Sequence, residues 1–182
     1  MARIIGYRRF GGVEVLEEGS VSLPVPGEGQ VLVTVRAAGI NPVDYKLFGG
    51  LTRPLEVLRT IVHPGRWFAR GAERPLRGVG QDFAGVVTAV GPGVTNVGVG
   101  DEVIGLLRAA PWQVREYGSL ATQLVISADN VVSKPASMSF DVAGGLGVAA
   151  QTAMGAMRSV KADAGDVIVV AAAAGGVGGL VT

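Results

Sequence analysis

The residues with the clearest chemical meaning lie near the end of the sequence, in Ala172-Ala173-Ala174-Gly175-Gly176-Val177-Gly178-Gly179. The spacing Ala172-x-x-Gly175-x-x-Gly178 follows an apolar run, Val167-Ile168-Val169-Val170-Ala171, as a dinucleotide-binding turn follows its strand. Glycines in such a turn let backbone N–H groups close on a pyrophosphate at the start of a helix. Alanine stands at the first glycine position, and the residue that would read the ribose, about 20 residues further on, lies past Thr182. At this level a nucleotide-binding turn and an ordinary strand-to-helix turn both remain open.

The rest of the inventory narrows the chemistry. The 182 residues contain no Cys, which excludes disulfides, thiolate catalysis and any Cys-based zinc site. His63 is the single His, nothing near it in sequence orients it as an acid, and a transition-metal site is not expected. No Ser/His/Asp arrangement or carboxylate dyad stands out. Sixteen basic and fifteen acidic residues leave a net charge of +1, which gives no global pull toward nucleic acid or an anionic membrane. With 48% hydrophobic and 17% charged residues the chain is expected to bury a core, built from aliphatic side chains because aromatics are only 5%.

The elements that must position these residues fall into two groups. Up to about residue 135 the sequence reads as short strands at roughly 3–9, 13–21, 30–38, 82–91, 100–107, 119–126 and 130–134, separated by turns such as Pro26-Gly27-Glu28-Gly29 and Gly91-Pro92-Gly93. Val31, Val33 and Val35 share one face of their strand. Many short, unevenly spaced strands predict a partly open barrel or a sandwich. After Lys134-Pro135, Ser137 and Ser139 are candidate N-caps for a helical segment reaching Val160, with a break near Gly144-Gly145 and Gly147. The run Val167 to Ala171 then reads as a strand buried on both faces of a parallel sheet. A βαβ unit needs about 30 residues, more than Asp166 to Thr182 supplies, so the α/β part is expected to be incomplete and the chain a fragment of a longer protein.

Several stretches carry a family resemblance in order along the chain. They are Phe10-Gly11-Gly12-x-Glu14-Val15-Leu16, Pro26 to Val33, Ala37-Ala38-Gly39-Ile40-Asn41-Pro42-Val43-Asp44, Gly80-Gln81-Asp82-Phe83-Ala84-Gly85-Val86-Val87, Val99 to Val103 and Ala173 to Gly178. In these the sequence resembles the N-terminal half of a zinc-free medium-chain dehydrogenase/reductase of the quinone oxidoreductase-like group. The resemblance implies a mainly β, GroES-like, partly open barrel over residues 1–135. Residues 136–182 would be the first helix, strand and Gly-rich turn of a truncated α/β Rossmann domain. It also implies NADPH, less often NADH, as hydride donor to a quinone or an α,β-unsaturated carbonyl. Zinc-dependent relatives place a Cys where this chain has Asn41 and a His-Glu pair where it has Gln81-Asp82, so the same comparison implies no metal.

By that resemblance Asn41 lies near the nicotinamide ribose, and an Asn satisfying its own turn is the plain alternative. Lys46 stands where many relatives carry Tyr, and would stabilise a developing enolate or a cofactor phosphate if it faces the cleft. Facing outward, it is an ordinary solvated cation. Thr152 matches a cofactor-touching Thr, against the alternative of a hydroxyl bonded to the preceding turn. Ala174, Gly175, Gly176, Val177 and Gly178 complete the expected cofactor set. Asp44 is expected to anchor the loop or cap the turn that follows.

Residues 51–79 form a longer insertion than usual, rich in Arg and holding His63, Trp67 and Phe68. A lid, a grip on an anionic substrate tail and a solvated loop are its readings. A small-molecule substrate is the expected partner, with no nucleic acid, no membrane and a homodimer left open. No signal peptide is recognisable at the N-terminus and no apolar run reaches the ~20 residues of a membrane span, so the expected location is the cytoplasm. A non-enzymatic binding or assembly module and an enoyl-thioester reductase are the alternatives.

Overall fold

The segment Gln30–Gly39 shows why the sequence folds as it does. Val31 and Val33 are fully buried while their neighbours are partly exposed, which is the period-2 alternation of a strand with one face on a core. In the computed structural model, which describes residues 1–54, 75–107 and 118–182, this strand is β3. Before it come β1 (Ala2–Tyr7) and β2 (Leu16–Val21), and after it a helix, α1 (Pro42–Phe48). The strands β4 (Arg77–Gly78), β5 (Asp82–Val90), β6 (Glu102–Leu106), β7 (Gln123–Ser127) and β8 (Val131–Ser133) follow. Two helices, α2 (Phe140–Gly144) and α3 (Leu146–Val160), follow the strands.

The strands make two open antiparallel sheets, ordered β2-β1-β4 and β7-β3-β5-β6-β8. They meet where Ile4 bridges Ala121, with Ile5 N donating to Leu120 O at 2.8 Å and Thr122 N to Arg3 O at 2.9 Å. The expected partly open barrel therefore takes the form of two sheets joined along one seam. β3 carries register shifts between Leu32 and Val33 and between Val35 and Ala37, the bulges that bend a strand around such a seam.

The larger sheet buries Val33, Phe83, Val87, Val103, Leu124 and Ile126 on one face. Gly105 lies opposite Phe83, and a Cβ there would stand 2.2 Å from the ring, so the aromatic occupies the space a side chain would need. Tyr7, Val15, Phe48 and Val79 form a second cluster, with the Arg77 guanidinium 5.9 Å from the Tyr7 ring centre and 5.6 Å from that of Phe10.

The strand β5 is buried on both faces at Asp82 to Gly85 because α2 and α3 cover the side opposite the core. The helices come close through glycine. A Cβ at Gly144 would lie 2.8 Å from Ala37 Cβ, and one at Gly39 would lie 2.8 Å from Gly144 O. The expected break falls at Gly145, and Ser139 caps α2 by accepting from Val142 N at 3.3 Å. Lys134 fastens this junction. Its buried ammonium donates to Pro135 O and Met138 O at 3.0 and 2.6 Å, pairs with Glu102 at 2.9 Å and sits 5.0 Å from the Phe140 ring centre.

The structure corrects the expectation of a buried strand at 167–171. That run pairs with no strand among the described residues, and Val167 and Val169 are about nine-tenths exposed. A strand exists only as a member of a hydrogen-bonded ladder, and apolar content alone does not make one. The Gly-rich turn likewise opens no α-helix among the described residues: a 3-10 turn, Gly178–Leu180, follows it. Among the described residues the structure adds α1 and the two-residue β4 to the expected elements. Most of the insertion 51–79, including His63, Trp67 and Phe68, lies outside the described residues.

Candidate functional site

Asn41 stands between β3 and α1 in extended conformation, with φ −119° and ψ 159°, and Pro42 occupies the first helical position. Its backbone N–H donates to Asp44 Oδ2 at 2.8 Å, while Asp44 N donates to Asn41 O at 2.9 Å. The buried Asp44 carboxylate thus closes the first turn of α1, the capping role expected of it. With its backbone fixed in this way, Asn41 turns its side chain toward β5 and donates from Nδ2 to Asp82 Oδ2 at 2.8 Å.

Asp82 opens β5, opposite Gly39 of β3 on one side and Leu106 of β6 on the other, and is fully buried. Its second oxygen, Oδ1, accepts from Val148 N in the first turn of α3 at 2.9 Å. Burial pushes the Asp82 carboxyl above its usual pKa range, the bonds from Asn41 and Val148 pull it down, and the charge of Asp44 adds a smaller upward push. Gly147 makes the approach of the helix feasible, because a Cβ there would lie 2.8 Å from Asp82 Oδ1. The carbonyl of the same Val148 accepts from Thr152 Oγ1 at 2.7 Å. Asn41, Asp82, Val148 and Thr152 therefore form one continuous hydrogen-bonded chain from the end of β3 into α3.

The sequence-derived residues divide accordingly. Asn41 and Thr152 fall in the same network, although Thr152 spends its hydroxyl hydrogen on its own helix, as its plain alternative held. Lys46 is exposed in the last turn of α1. Ala174 to Gly178 lie in the exposed C-terminal turn, which rests against α3. There Gly175 N donates to Ala172 O at 2.9 Å and Gly179 N to Gly175 O at 2.8 Å. Among the described residues no acceptor meets the N–H groups of Gly176, Val177 and Gly178. No hydrogen bond among those residues joins this turn to Asn41 either.

Sequence reasoning missed Asp82 as a hub. The available signal was a carboxylate at the head of the strand Asp82-Phe83-Ala84-Gly85-Val86-Val87, where a buried charge demands partners. Among the described residues no three His, Cys, Asp or Glu side chains are placed to hold a metal ion, and no helix is long and apolar enough to cross a membrane.

With this geometry in view, comparison with known proteins is informative. Over 178 residues the chain is 35% identical to a 2-methylene-furan-3-one reductase of Solanum lycopersicum, which covers 96% of the chain and 42% of that protein. It is 34% identical, over the same shares, to an NADPH-dependent alkenal/one oxidoreductase, chloroplastic, of Arabidopsis thaliana. The chain thus spans less than half the length of these relatives. The quinone oxidoreductase from Coxiella burnetii superposes with a TM-score of 0.77 at 30% identity, over 99% of this chain and 51% of that one. The model of the alcohol dehydrogenase GroES-like domain matches residues 27–136, which contain Asn41, Asp82 and every strand of the larger sheet. The chain belongs to the family of the alcohol dehydrogenase GroES-like domain.

Proposed function

We propose that the protein is an NADPH-dependent oxidoreductase that reduces a quinone or an α,β-unsaturated carbonyl without zinc, with residues 1–135 as its GroES-like catalytic part and residues 136–182 as the start of its nucleotide-binding part. The observation that carries this reading is the similarity, across nearly the whole chain, to two reductases of conjugated carbonyl compounds. NADPH, with NADH as the weaker alternative, would supply hydride to the electron-poor carbon of the acceptor.

The residues present suit such a cofactor. Gly176, Val177 and Gly178 offer amides that no described group accepts from, and a Cβ at Gly178 would lie 2.2 Å from Ala172 O, so the turn closes only around glycine. These residues, with Ala174 and Gly175, would hold the diphosphate. Asn41 would bind beside the nicotinamide ribose through the carboxamide that Asp82 orients, and Thr152 would border it from α3. The donors at this place are a carboxamide and a buried carboxylate already engaged by two N–H groups, a set without the Cys or His that zinc prefers. The protein's work would be orientation and exclusion of water rather than proton transfer. Lys46, exposed on α1, would steady charge developing on the acceptor oxygen. We place the enzyme in the cytoplasm, and its assembly, monomer or homodimer, is left open.

The test is acceptor-dependent loss of NADPH absorbance by the intact protein, offered quinones, enones and enoyl thioesters, before and after treatment with a chelator. Turnover that survives the chelator is expected, faster with NADPH than NADH. The absence of turnover with every acceptor would sink the reading. Fractionation and light scattering check compartment and assembly.

A further inference from the structure

We propose that Asp82 is a positioning residue, whose carboxylate fixes the orientation of the Asn41 carboxamide and ties it to the first turn of α3. The role of Asn41 rests on the reductase reading given above; the geometry does not.

An Asn side chain rotates broadly about its last torsion, so a fixed backbone does not fix which way the amide faces. Asp44 fixes the backbone of Asn41 and its N–H meets the Asn41 side chain in the capping box of α1, while Asp82 accepts from Asn41 Nδ2. An ionised carboxylate accepts and never donates, so the Asn41 atom that meets it is Nδ2, which leaves Oδ1 as the side-chain acceptor of the capping box with Asp44 N. The two Asp82 oxygens are divided between elements: Oδ2 takes Asn41 after β3, and Oδ1 takes Val148 N in α3. Asp82 itself cannot drift, because it heads a strand paired on both sides. The sequence keeps the space open with Gly147, and with Gly39, whose Cβ would lie 3.2 Å from Asp82 Cβ. A buried carboxylate with both oxygens assigned sets one spacing between the loop carrying Asn41 and the helix carrying Thr152.

The experiment uses the intact protein labelled with 15N-Asn and 15N-Val, with Asp82→Asn as the main variant. A carboxamide has one acceptor oxygen and can serve Val148 N or Asn41 Nδ2, not both. Exchange of the Val148 amide or the Asn41 side-chain amide should therefore accelerate about tenfold or more, with a shifted resonance, in keeping with loss of one charge-assisted bond. Should Asp82→Asn fail to fold, Asn41→Ala leaves the carboxylate in place and removes one partner, and the Val148 resonance should then move. Unmoved resonances in the variant that folds overturn the proposal. In turnover, Asp82→Asn should lower kcat/KM by about 10²-fold, the scale of a misplaced group, and lose nothing further in an Asn41→Ala background. Multiplying losses would mean that Asp82 acts independently of Asn41, and would overturn it too. If the unaltered protein fails to oxidise NADPH with every acceptor offered, the reductase reading fails while the resonances still decide on Asp82.

Discussion

Two valine-rich runs behave in opposite ways in this molecule. Gln30–Gly39 is hydrogen-bonded to β5 on one side and β7 on the other, and Val31 and Val33 lose all contact with water. Val167 to Ala171 has the denser apolar sequence, yet it pairs with no strand among the described residues and leaves Val167 and Val169 open to solvent. Apolar content sets what a segment gains from burial; the neighbouring strands decide whether that gain is realised. The same contrast divides the glycines. Those near Asp82 and Phe83 are there because neighbours leave no room for a Cβ, whereas Gly155 and Gly176 face open space.

The largest effect that would break this comparison lies in the larger sheet. Phe83→Ala removes a fully buried ring that packs over Gly105, and the hole cannot collapse because β5 is clamped between β3 and β6. A loss of about 3–5 kcal/mol is expected by urea unfolding. A loss below about 1 kcal/mol would mean that the ring is not at the centre of the core.

Gly147→Ala comes next. Its Cβ would stand 2.8 Å from Asp82 Oδ1, so α3 must retreat from β5 or the carboxylate must give up Val148 N. The expected cost is about 1–3 kcal/mol, despite the better helix propensity of Ala. Thermal unfolding reads the net sign, and a more stable variant would contradict the close approach.

Protonation of Asp82 sharpens the comparison further. Its carboxyl titrates above the ordinary range, first because burial disfavours the charge. Between that ordinary range and the raised value the folded chain holds a proton that the unfolded chain has released. Stability contributed by this group is therefore full at lower pH and declines as pH rises through the window. Glu14, held below its usual range chiefly by backbone N–H bonds, its own and that of Gly12, titrates with the opposite slope but is common to wild type and variant. The stability of wild type minus that of Asp82→Asn, from urea midpoints between about pH 4 and about pH 7, should therefore fall with rising pH. A difference that rises or stays level would show that the carboxylate is not desolvated.

The elements legible in the sequence were those whose signals are local. Short apolar runs between turn residues located the strands of the larger sheet, alternation gave the faces of β3, Ser139 marked the start of α2, and paired glycines marked the break at Gly145. The helix α1 also carries local signals, Pro42 at its first position and Asp44 at its third, but these fit a loop or a capped turn equally well. β4 is two residues long and exists through its pairing with Gly6 and Tyr7 of β1, so nothing in Arg77-Gly78 announces it. The role of Asp82 was hidden for a similar reason, since its partners lie 41 and 66 residues away along the chain. The strand expected at 167–171 shows the reverse error, a local signal with no described neighbour to complete it.

The smallest expected effects test the open side of the comparison. Gly155 lies inside α3 with nothing within 4 Å of where a Cβ would stand. Gly155→Ala there reduces the freedom of the unfolded chain and meets no obstacle, so it should stabilise by about 0.5–1 kcal/mol, opposite in sign to Gly147→Ala eight residues earlier on the same helix. Val169→Ala should change stability by no more than about 0.5 kcal/mol, because its side chain is already about nine-tenths exposed and has little burial to lose. Both are read from urea midpoints at fixed slope. A Val169→Ala loss approaching that of Phe83→Ala would mean that the run is covered in solution, in which case the two apolar segments differ in when they find a neighbour rather than in whether they have one.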